Sequence, residues 1–478
     1  MTQAIPNGAA YSILCDLCPP NVEPVITNWR EGKAKGQLYA MELTNLSGYR
    51  DEILMPPPRE AGPRLEMTLQ SWKGWYLEAL GRQDRFFIDW ASIARYAGFY
   101  YDKAAGEGQS AIKPVVAKWV EGISDPQRRI EAILRHVRDD FRYVQWISVI
   151  GRVHSVEYIL KNKIADNEDK AMLLRAALES IGVDSYAALV VGKDYGSLNP
   201  NFFSFSQFTH TVVAIPQPDG SYQWLDPTVA YAPFRLVPWK DSGAEALLIQ
   251  DGRGEIVRLP SKREANRTRY AVTVKPRRDG RAALEIKAEF HGEDAVDMRE
   301  HLAPVAEDGR ISYLQDWIKS MRPGAVLRSH AIEDLADVEK PLRIKMEAEA
   351  PGLVTVADDV MLVRGCVLSG LEVNPISRGE RQYPLYVDRG WNREEVVIIE
   401  PPEGMSVAQR PSPVMARTPV TSLTFSCTSQ GEDAVRCRRS FVARRNRWPA
   451  SLATKVHAQF DRILQADRST VAFRRSGG

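Results

Sequence analysis

The sequence predicts an α+β fold in which helices packed on an antiparallel sheet are followed by a mainly β C-terminal region. Between residues 124 and 262, two amphipathic helices precede short strands joined by tight turns, which is typical of helices packed on an antiparallel meander. After residue 263, apolar and polar residues alternate with the period of half-buried strands. We expect these C-terminal strands to form a β-sandwich.

The two helices of the central segment are indicated by their caps and their apolar spacing. Ser124-Asp125-Pro126 offers an N-cap and a first-turn proline, and apolar residues at helical spacing follow as far as Phe141. A second helix is expected to begin near Asp166 or Asn167 and to stop at Gly182. Each helix therefore buries one face.

The strands of the central segment follow the second helix. One strand is predicted from Tyr186 to Val191 and another from His210 to Ile215. A turn at Asp219-Gly220 leads into a returning strand from Tyr222 to Leu225. A further hairpin is predicted over residues 245–259.

The spacing of these patterns predicts five segments. Residues 1–70 are expected to be the remnant of an N-terminal β domain with an extended linker, and residues 71–123 a helical linker. Residues 124–262 form the predicted core. Residues 263–393 are expected to be a β-rich domain with a helical insert at 309–321, and residues 394–478 a β segment with a C-terminal helix.

The charge balance excludes two classes of partner. The 478 residues include 63 Lys and Arg against 61 Asp and Glu, so no basic footprint for nucleic acid or a lipid surface is present. No stretch reaches the roughly 18 apolar residues of a membrane helix. The N-terminus has no basic head followed by an apolar run, so we expect a cytoplasmic protein, or a periplasmic or exported one if the chain start is truncated.

The five cysteines are too few for a disulfide-built scaffold. Cys15 and Cys18 form a CxxC without the further ligands that zinc requires, so neither a metal site nor a cofactor is predicted. Cys427 and Cys437 flank a turn and are expected to face each other across a hairpin. A disulfide is expected there in an exported protein, and two thiols in the cytoplasm.

Candidate chemistry lies on three short segments of the core. Asp166 and Asn167 begin a helix, His210 begins a strand, and Asp226 in Trp-Leu-Asp-Pro-Thr ends the next strand. A turn near residues 218–219 would place His210 and Asp226 roughly opposite each other, where cross-strand neighbours lie about 4.5–5.5 Å apart. An Asp beside a His holds the imidazole tautomer, and a nucleophile at the helix start would complete a triad.

This order of segments resembles the transglutaminase-like superfamily, whose papain-related core carries a helix-borne Cys, a strand His and a strand Asp. More narrowly, it resembles bacterial multidomain members with flanking β-sandwich domains of unknown function, whose core reads close to GDCKDKA, FNH and WLDPT. The chain order and the intervals from Asn167 to His210 and from His210 to Asp226 agree with that pattern. The motifs cover residues 124–262, and the layout covers about 60–475.

The sequence departs from that family at the nucleophile. Asn167 stands where the family has its catalytic Cys, and an amide offers no anionic sulfur or oxygen near neutral pH. Cys18 and Cys366 are consecutive cysteines, so none lies in the core. We expect Asn167 to act as the cap of its helix. Gln145 is a candidate oxyanion donor, with an ordinary surface Gln as the alternative.

Three functions are compatible with these residues. The first, which we favour, is a catalytically degenerate transglutaminase-like protein that binds a peptide or protein ligand in its core cleft or acts as a scaffold. The second is a hydrolase or amidotransferase that acts on peptide amide bonds through His210 and Asp226. The third is a β-sandwich interaction protein whose binding surface lies near residues 280–440. No oligomeric state is predicted.

Overall fold

The computed structural model describes residues 2–6, 9–16, 23–31, 34–44, 48, 50–73, 78, 81, 86–145, 153–261, 266–431 and 433–475. The chain divides into two compact units, of which the first comprises residues 1–50, 56–230 and 234–261 and the second residues 51–55, 231–233 and 262–478. The predicted fold class is confirmed, because the structure is a mixture of helices and sheets with a mainly β C-terminal region.

Unit 1 contains five helices and twelve short or medium strands within its described residues. The helices are α1 (Trp90–Glu107), α2 (Gln109–Trp119), α3 (Pro126–Asp139), α4 (Val156–Asn162) and α5 (Asn167–Glu179). The strands are β1 (Thr2–Pro6), β2 (Ala9–Asp16), β3 (Val25–Glu31), β4 (Ala34–Ala40), β5 (Arg64–Trp72), β6 (Arg142–Tyr143), β7 (Ile164–Ala165), β8 (Tyr186–Val190), β9 (His210–Pro216), β10 (Tyr222–Leu225), β11 (Glu245–Gln250) and β12 (Arg253–Arg258).

The main sheet of unit 1 has the order β10-β9-β8-β11-β12, and its neighbouring strands are antiparallel. Helix α5 packs against this sheet in the hydrophobic core. Its residues Leu173, Leu174 and Leu178 are fully buried. Gly182 adopts a φ of +77° just after α5, in the left-handed region that favours glycine at a helix end. The N-terminal strands form a separate sheet of order β1-β4-β3 and a β2-β5 pair.

Helices α1 and α2 lie in the same hydrophobic core as α5, although the sequence predicts only a helical linker there. Ile93 and Tyr101 of α1 and Ile112 of α2 are fully buried. Their small and apolar residues recur at helical spacing, and such a face gains stability by packing against the sheet. The five predicted segments therefore correspond to two units here, and their boundaries stay a prediction.

Unit 2 is mostly β. Its strands are β13 (Arg267–Pro276), β14 (Arg281–His291), β15 (Val326–Glu333), β16 (Leu342–Pro351), β17 (Val354–Ala357), β18 (Val360–Arg364), β19 (Leu385–Val387), β20 (Trp391–Ile399), β21 (Met405–Gln409), β22 (Val414–Arg417), β23 (Thr421–Gln430), β24 (Ala434–Ala443), β25 (Asn446–Trp448) and β26 (Thr470–Arg475). Its helices are α6 (Glu293–Leu302), α7 (Glu307–Met321) and α8 (Ala453–Asp467).

An eight-stranded sheet of order β15-β16-β14-β13-β20-β24-β23-β22 and a four-stranded sheet of order β17-β18-β26-β21 share one hydrophobic core in unit 2. Strands β13 and β20 pair in parallel, so residues from both predicted C-terminal segments contribute to one sheet. Helix α6 and strand β26 were not predicted from the sequence. Helix α6 lacks a strong local signal, because its N-cap residue is Gly292, which has no side chain to cap the helix.

Two features of β23 and β24 test the sequence analysis. Cys427 pairs directly with Cys437 across the hairpin and forms a disulfide with it, as the spacing indicates. Arg439 is almost fully buried and pairs with Asp467 of α8 at 2.6 Å, although it lies beside Arg438 in a run of basic residues of the kind that is ordinarily solvated. Strand β24 lies between β20 and β23, which explains this burial.

None of the helices in the described part of the chain has the length and apolar character that crossing a bilayer requires.

A close contact between α1 and β12 predicts a specific loss of stability. A methyl group at Gly254 would lie 2.7 Å from the Trp90 carbonyl oxygen and 2.8 Å from the Cβ of Ala94. We expect Gly254→Ala to lower the free energy of unfolding by about 1–3 kcal/mol, because the added methyl group overpacks the contact between α1 and β12. The measurement is urea denaturation. Gly106→Ala in α1 is the control, since nothing lies within 4 Å of its new methyl group. Equal stability of both variants would contradict this packing.

Candidate functional site

The ends of four strands meet at one edge of the unit 1 sheet. Strand β8 ends at Val190, which pairs with His210 at the start of β9. Strand β10 ends at Leu225, directly before Asp226. On the other side of β8, Val191 N–H donates to the Glu245 carbonyl at the start of β11. Residues just outside these strand ends are therefore held close together by backbone pairing.

His210 and Asp226 are in contact, although their predicted register is wrong by two residues. Nε2 of His210 lies 3.0 Å from Oδ2 of Asp226. Leu225 pairs with Val213, so the continuation of β10 lies opposite residue 212 rather than 210. Residues 210 and 212 share a face of β9, and a diagonal neighbour on that face is within reach of an imidazole.

The carboxylate of Asp226 is fixed from its other side. Its Oδ1 accepts hydrogen bonds from the Thr228 amide at 2.8 Å and from the Thr228 hydroxyl at 2.7 Å. The turn that the Asp-Pro-Thr sequence indicates and the contact with His210 therefore coexist, with one oxygen for each. Only 5% of the Asp226 side chain is exposed.

Asp241 is a third member of this cluster, and sequence reasoning missed it. Its Oδ2 lies 3.7 Å from the same Nε2 of His210, and only 3% of its side chain is exposed. Asp241 lies in an irregular segment between Pro238 and β11, where a Pro238 carbonyl accepts its backbone amide. An Asp followed by Ser-Gly has the ordinary sequence of a turn, so no periodic signal distinguishes it.

The two carboxylates determine the charge of the imidazole. Burial acts to lower the pKa of His210, but the charges of Asp226 and Asp241 and the hydrogen bond to Asp226 outweigh it and raise the pKa to about 9. Burial raises the pKa of Asp241 to about 7, against the opposing charge of His210. At neutral pH, His210 is therefore an imidazolium held between two acidic groups.

Asn167 is the first residue of α5, and it is not the cap of this helix, contrary to the prediction. The cap is Asp166, whose side chain accepts from the Asp169 amide at 2.9 Å, while the Asp169 carboxylate accepts from the Asp166 amide. Asp169 is held in turn by His154, whose Nδ1 lies 2.8 Å from Oδ2. These contacts select the residue before Asn167 as the cap and leave the Asn167 amide for other partners.

Tyr143 connects Asn167 to the charged cluster. Burial raises the pKa of Tyr143, with additional effects of Asp226 and Asp166, while a hydrogen bond with the Asn167 side chain acts in the opposite direction. Tyr143 thus interacts with the Asn167 side chain and lies within electrostatic range of Asp226. The Tyr143 side chain is 40% exposed, so this part of the site is open to solvent.

Gln145 follows Tyr143 on the segment that runs beside the start of α5. The Val144 amide donates to the Ala165 carbonyl at 3.0 Å, and the Gln145 side chain is exposed. The structure therefore places Gln145 on the same side of the core as Asn167 without assigning it a contact there. Its role as an oxyanion donor stays a prediction.

Lys170, one turn after Asn167, is buried, and its Nζ donates to the Arg138 carbonyl at 2.7 Å. Burial lowers its pKa to about 8, with opposing effects from Asp139 and Asp226. The Lys170 ammonium is therefore bound to a backbone carbonyl and does not act as a nucleophile. This hydrogen bond links α5 to α3.

Comparisons with known proteins support the fold. The family model of a domain of unknown function with a solved structure, DUF3858, matches residues 359–473, from the start of β18 to β26. These two strands pair with each other, so the matched segment begins and ends at neighbouring positions in the four-stranded sheet. No functionally curated protein matches the chain.

Two solved structures are similar to the chain. A protein described as a putative protease from Parabacteroides distasonis has a TM-score of 0.58 at 12% identity, over 99% of this chain and 71% of that chain. A protein described as a putative cysteine protease from Cytophaga hutchinsonii has a TM-score of 0.24 at 12% identity, over 55% of this chain and 81% of that chain. The first similarity shows that the chain shares its fold with the protein from Parabacteroides distasonis.

The pKa of His210 provides a direct test of the cluster. Asp226→Asn should lower this pKa by at least about one unit and by more than Asp241→Asn does, because Asp226 is closer and hydrogen-bonded. The measurement is NMR titration of labelled histidines in the presence of a chelator, with His210→Gln to assign the signal.

A pH dependence of stability follows from the same shift. The folded pKa of about 9 lies above the ordinary value of 6.5, so the stabilisation is complete below about pH 6.5 and is lost as pH rises through 9. A His210 pKa near 6.5 in the wild-type protein would contradict the cluster.

Proposed function

We propose that unit 1 is a protease-like core that has lost thiol catalysis and binds a peptide or protein segment at the site around Asn167 and His210. The single observation that carries this proposal is Asn167 itself. It occupies the first position of α5, where a helix N-terminus and a nearby imidazolium would together stabilise a thiolate.

The chemistry of Asn167 favours binding over bond cleavage. Its amide offers two N–H donors and one carbonyl acceptor, the same groups that a peptide bond presents in reverse. It has no group that forms a covalent intermediate near neutral pH. An extended segment at this site would therefore be held by hydrogen bonds without being acylated.

The charge of His210 supports the same proposal. A general base must be unprotonated to accept a proton, and a pKa of about 9 leaves little neutral imidazole at pH 7. An imidazolium donates hydrogen bonds, so it is suited to a carbonyl or carboxylate of a bound segment. Because Asp226 and Asp241 balance this charge, His210 remains charged without a thiolate.

A second candidate function is hydrolysis by water activated at His210. The 3.0 Å contact with Asp226 and the two hydrogen bonds from Thr228 that orient that carboxylate favour it, since they fix the imidazole as in a base–orienter pair. The same contacts hold Nε2, which leaves Nδ1 as the nitrogen for a water molecule. This reaction would require the neutral imidazole and thus alkaline pH.

Restoring the thiol tests the first proposal. We expect Asn167→Cys to react with iodoacetamide at pH 6.5 at least about 10-fold faster than an ordinary thiol, because His210 and the helix start lower the pKa of the new cysteine. The background is Cys15→Ser/Cys18→Ser, in which Cys366 is buried and Cys427 is joined to Cys437. Alkylation is followed by mass spectrometry with a chelator present.

Two variants make this result specific. Adding His210→Gln should remove most of the rate enhancement. Ser180→Cys, at the opposite end of α5, is the matched control, and it should react slowly because the helix dipole disfavours a thiolate there. If Asn167→Cys is no faster than Ser180→Cys, the site is not assembled around position 167. Acylation of the wild-type protein at Asn167 would also contradict the proposal.

The hydrolase candidate predicts a different pH profile. Hydrolysis of p-nitrophenyl acetate should rise with pH through about 9, as His210 loses its proton, and His210→Gln should reduce the rate by about 10²–10⁴-fold. His136→Gln, at a partly exposed histidine on α3, controls for nonspecific catalysis by a surface imidazole. An equal rate in wild type and His210→Gln would eliminate this candidate and leave binding as the function of the site.

A further inference from the structure

We propose that His210, Asp226 and Asp241 form a binding site for one zinc ion, with a water molecule as a fourth ligand. The site lies on the Nε2 side of the imidazole. The proposal goes beyond the binding function above and requires only these three side chains. Zinc would take the place of the proton that Nε2 of His210 carries in the metal-free protein. It also departs from the sequence-based expectation of no metal site, which was made without Asp241.

The three side chains converge closely enough to hold one ion. One ligand atom from each lies within 4.8 Å of the other two. Nε2 is 3.0 Å from Oδ2 of Asp226 and 3.7 Å from Oδ2 of Asp241. Atoms that surround one zinc ion at about 2.0–2.2 Å in a tetrahedron are about 3.3–3.6 Å from each other. Side-chain movements much shorter than a zinc–ligand bond would therefore bring the three atoms into position around one ion.

The ligand types favour zinc over harder cations. An imidazole nitrogen with two carboxylate oxygens is a set that zinc accepts, and three protein ligands with one open position are typical of zinc sites that keep a water. Calcium takes six to eight oxygen ligands, and magnesium retains several waters around one or two carboxylates. A nitrogen ligand in a small, nearly dry cluster suits neither of these ions.

The burial of Asp241 is an independent observation that points to a cation. Its side chain is 3% exposed, and among the described residues its carboxylate has an ion pair with His210 at 3.7 Å but no hydrogen bond. A buried carboxylate is ordinarily hydrogen-bonded or coordinates a metal. Asp226 already provides the hydrogen-bonded partner of His210, so pairing of the imidazole does not require a second carboxylate.

The surroundings hold the ligands in place. Oδ1 of Asp226 accepts two hydrogen bonds from Thr228, and outer contacts of this kind orient a ligating carboxylate. The segment carrying Asp241 is fixed by the Lys193 amide, which donates to the Lys240 carbonyl at 2.9 Å. Lys240 directly precedes Asp241, but its ammonium pairs with Asp194 at 3.0 Å. His210 remains 17% exposed, which leaves a path for an ion and a water.

Zinc titration of the full chain tests the site. The Cys15→Ser/Cys18→Ser background removes the CxxC as a competing site, and a chelator is dialysed away before calorimetric titration with zinc chloride. We expect one zinc per chain with a Kd of about 1 µM or tighter. Asp241→Asn and His210→Gln should each weaken binding by at least about 10-fold. His136→Gln, which removes a histidine that pairs with Asp140 on α3, should leave the affinity unchanged.

Two further measurements make the result decisive. Thermal unfolding in chelator establishes that Asp241→Asn is folded, and zinc should raise the Tm of the background protein but not of this variant. Cobalt substituted for zinc should give visible absorption without the intense near-ultraviolet band of a thiolate ligand. The proposal fails if less than one zinc binds, if folded Asp241→Asn binds zinc as tightly as the background, or if cobalt shows thiolate ligation. A failed alkylation test at Asn167→Cys would leave the zinc result unaffected, because that test concerns the other end of the site.

Discussion

The pairing of β8 with β9 on one side and β11 on the other is the constraint on which the site depends. Val190 at the end of β8 fixes His210, and the continuation of β8 through Val191 fixes the chain as it enters β11 just after Asp241. A one-residue slip in either pairing would turn side chains to the opposite face of the sheet. His210 and Asp241 would then lie on different faces, and the three-residue cluster would not exist.

Helix α5 supplies the second half of the site by a separate mechanism. Its start is fixed by the reciprocal hydrogen bonds of Asp166 and Asp169, and Asp169 is held by His154. Lys170 ties the same turn to α3 through the Arg138 carbonyl. The first turn of α5 is therefore braced on several sides without any contribution from Asn167. The helix start therefore does not require a particular side chain at position 167.

The parts of the site that the sequence predicted lie next to periodic segments. His210 begins a strand with regular apolar spacing, and Asp226 ends one, so both were found and are in contact. Their register was wrong because the turn between Gln217 and Ser221 is centred on Asp219, one residue further along than predicted, and this moves the pairing by two residues. Asp241 was missed because its position depends on contacts with Lys193, distant in sequence, and no local pattern encodes them.

The fold was predicted to a similar degree. Alternating apolar and polar residues indicated strands such as β14 and β16, but not that these two strands pair with each other. The parallel pairing of β13 with β20 joins segments more than 100 residues apart, which local periodicity cannot indicate. Arg439 illustrates the same limit, since a run of basic residues predicts exposure while its pairing with Asp467 depends on where α8 docks.

Charge balance connects the uncharged side chain of Asn167 with the additional carboxylate of Asp241. With His210 charged, Asp226 ionised and Asp241 near its pKa of about 7, the cluster lies between neutrality and one net negative charge at neutral pH. Asn167 adds no charge to this partly buried site, where charges removed from water must be compensated locally. A divalent cation on the neutral imidazole and the two carboxylates would make the cluster neutral. The amide at position 167 and the carboxylate at position 241 are thus both consistent with a site whose positive partner is a metal ion and whose chemistry does not involve sulfur.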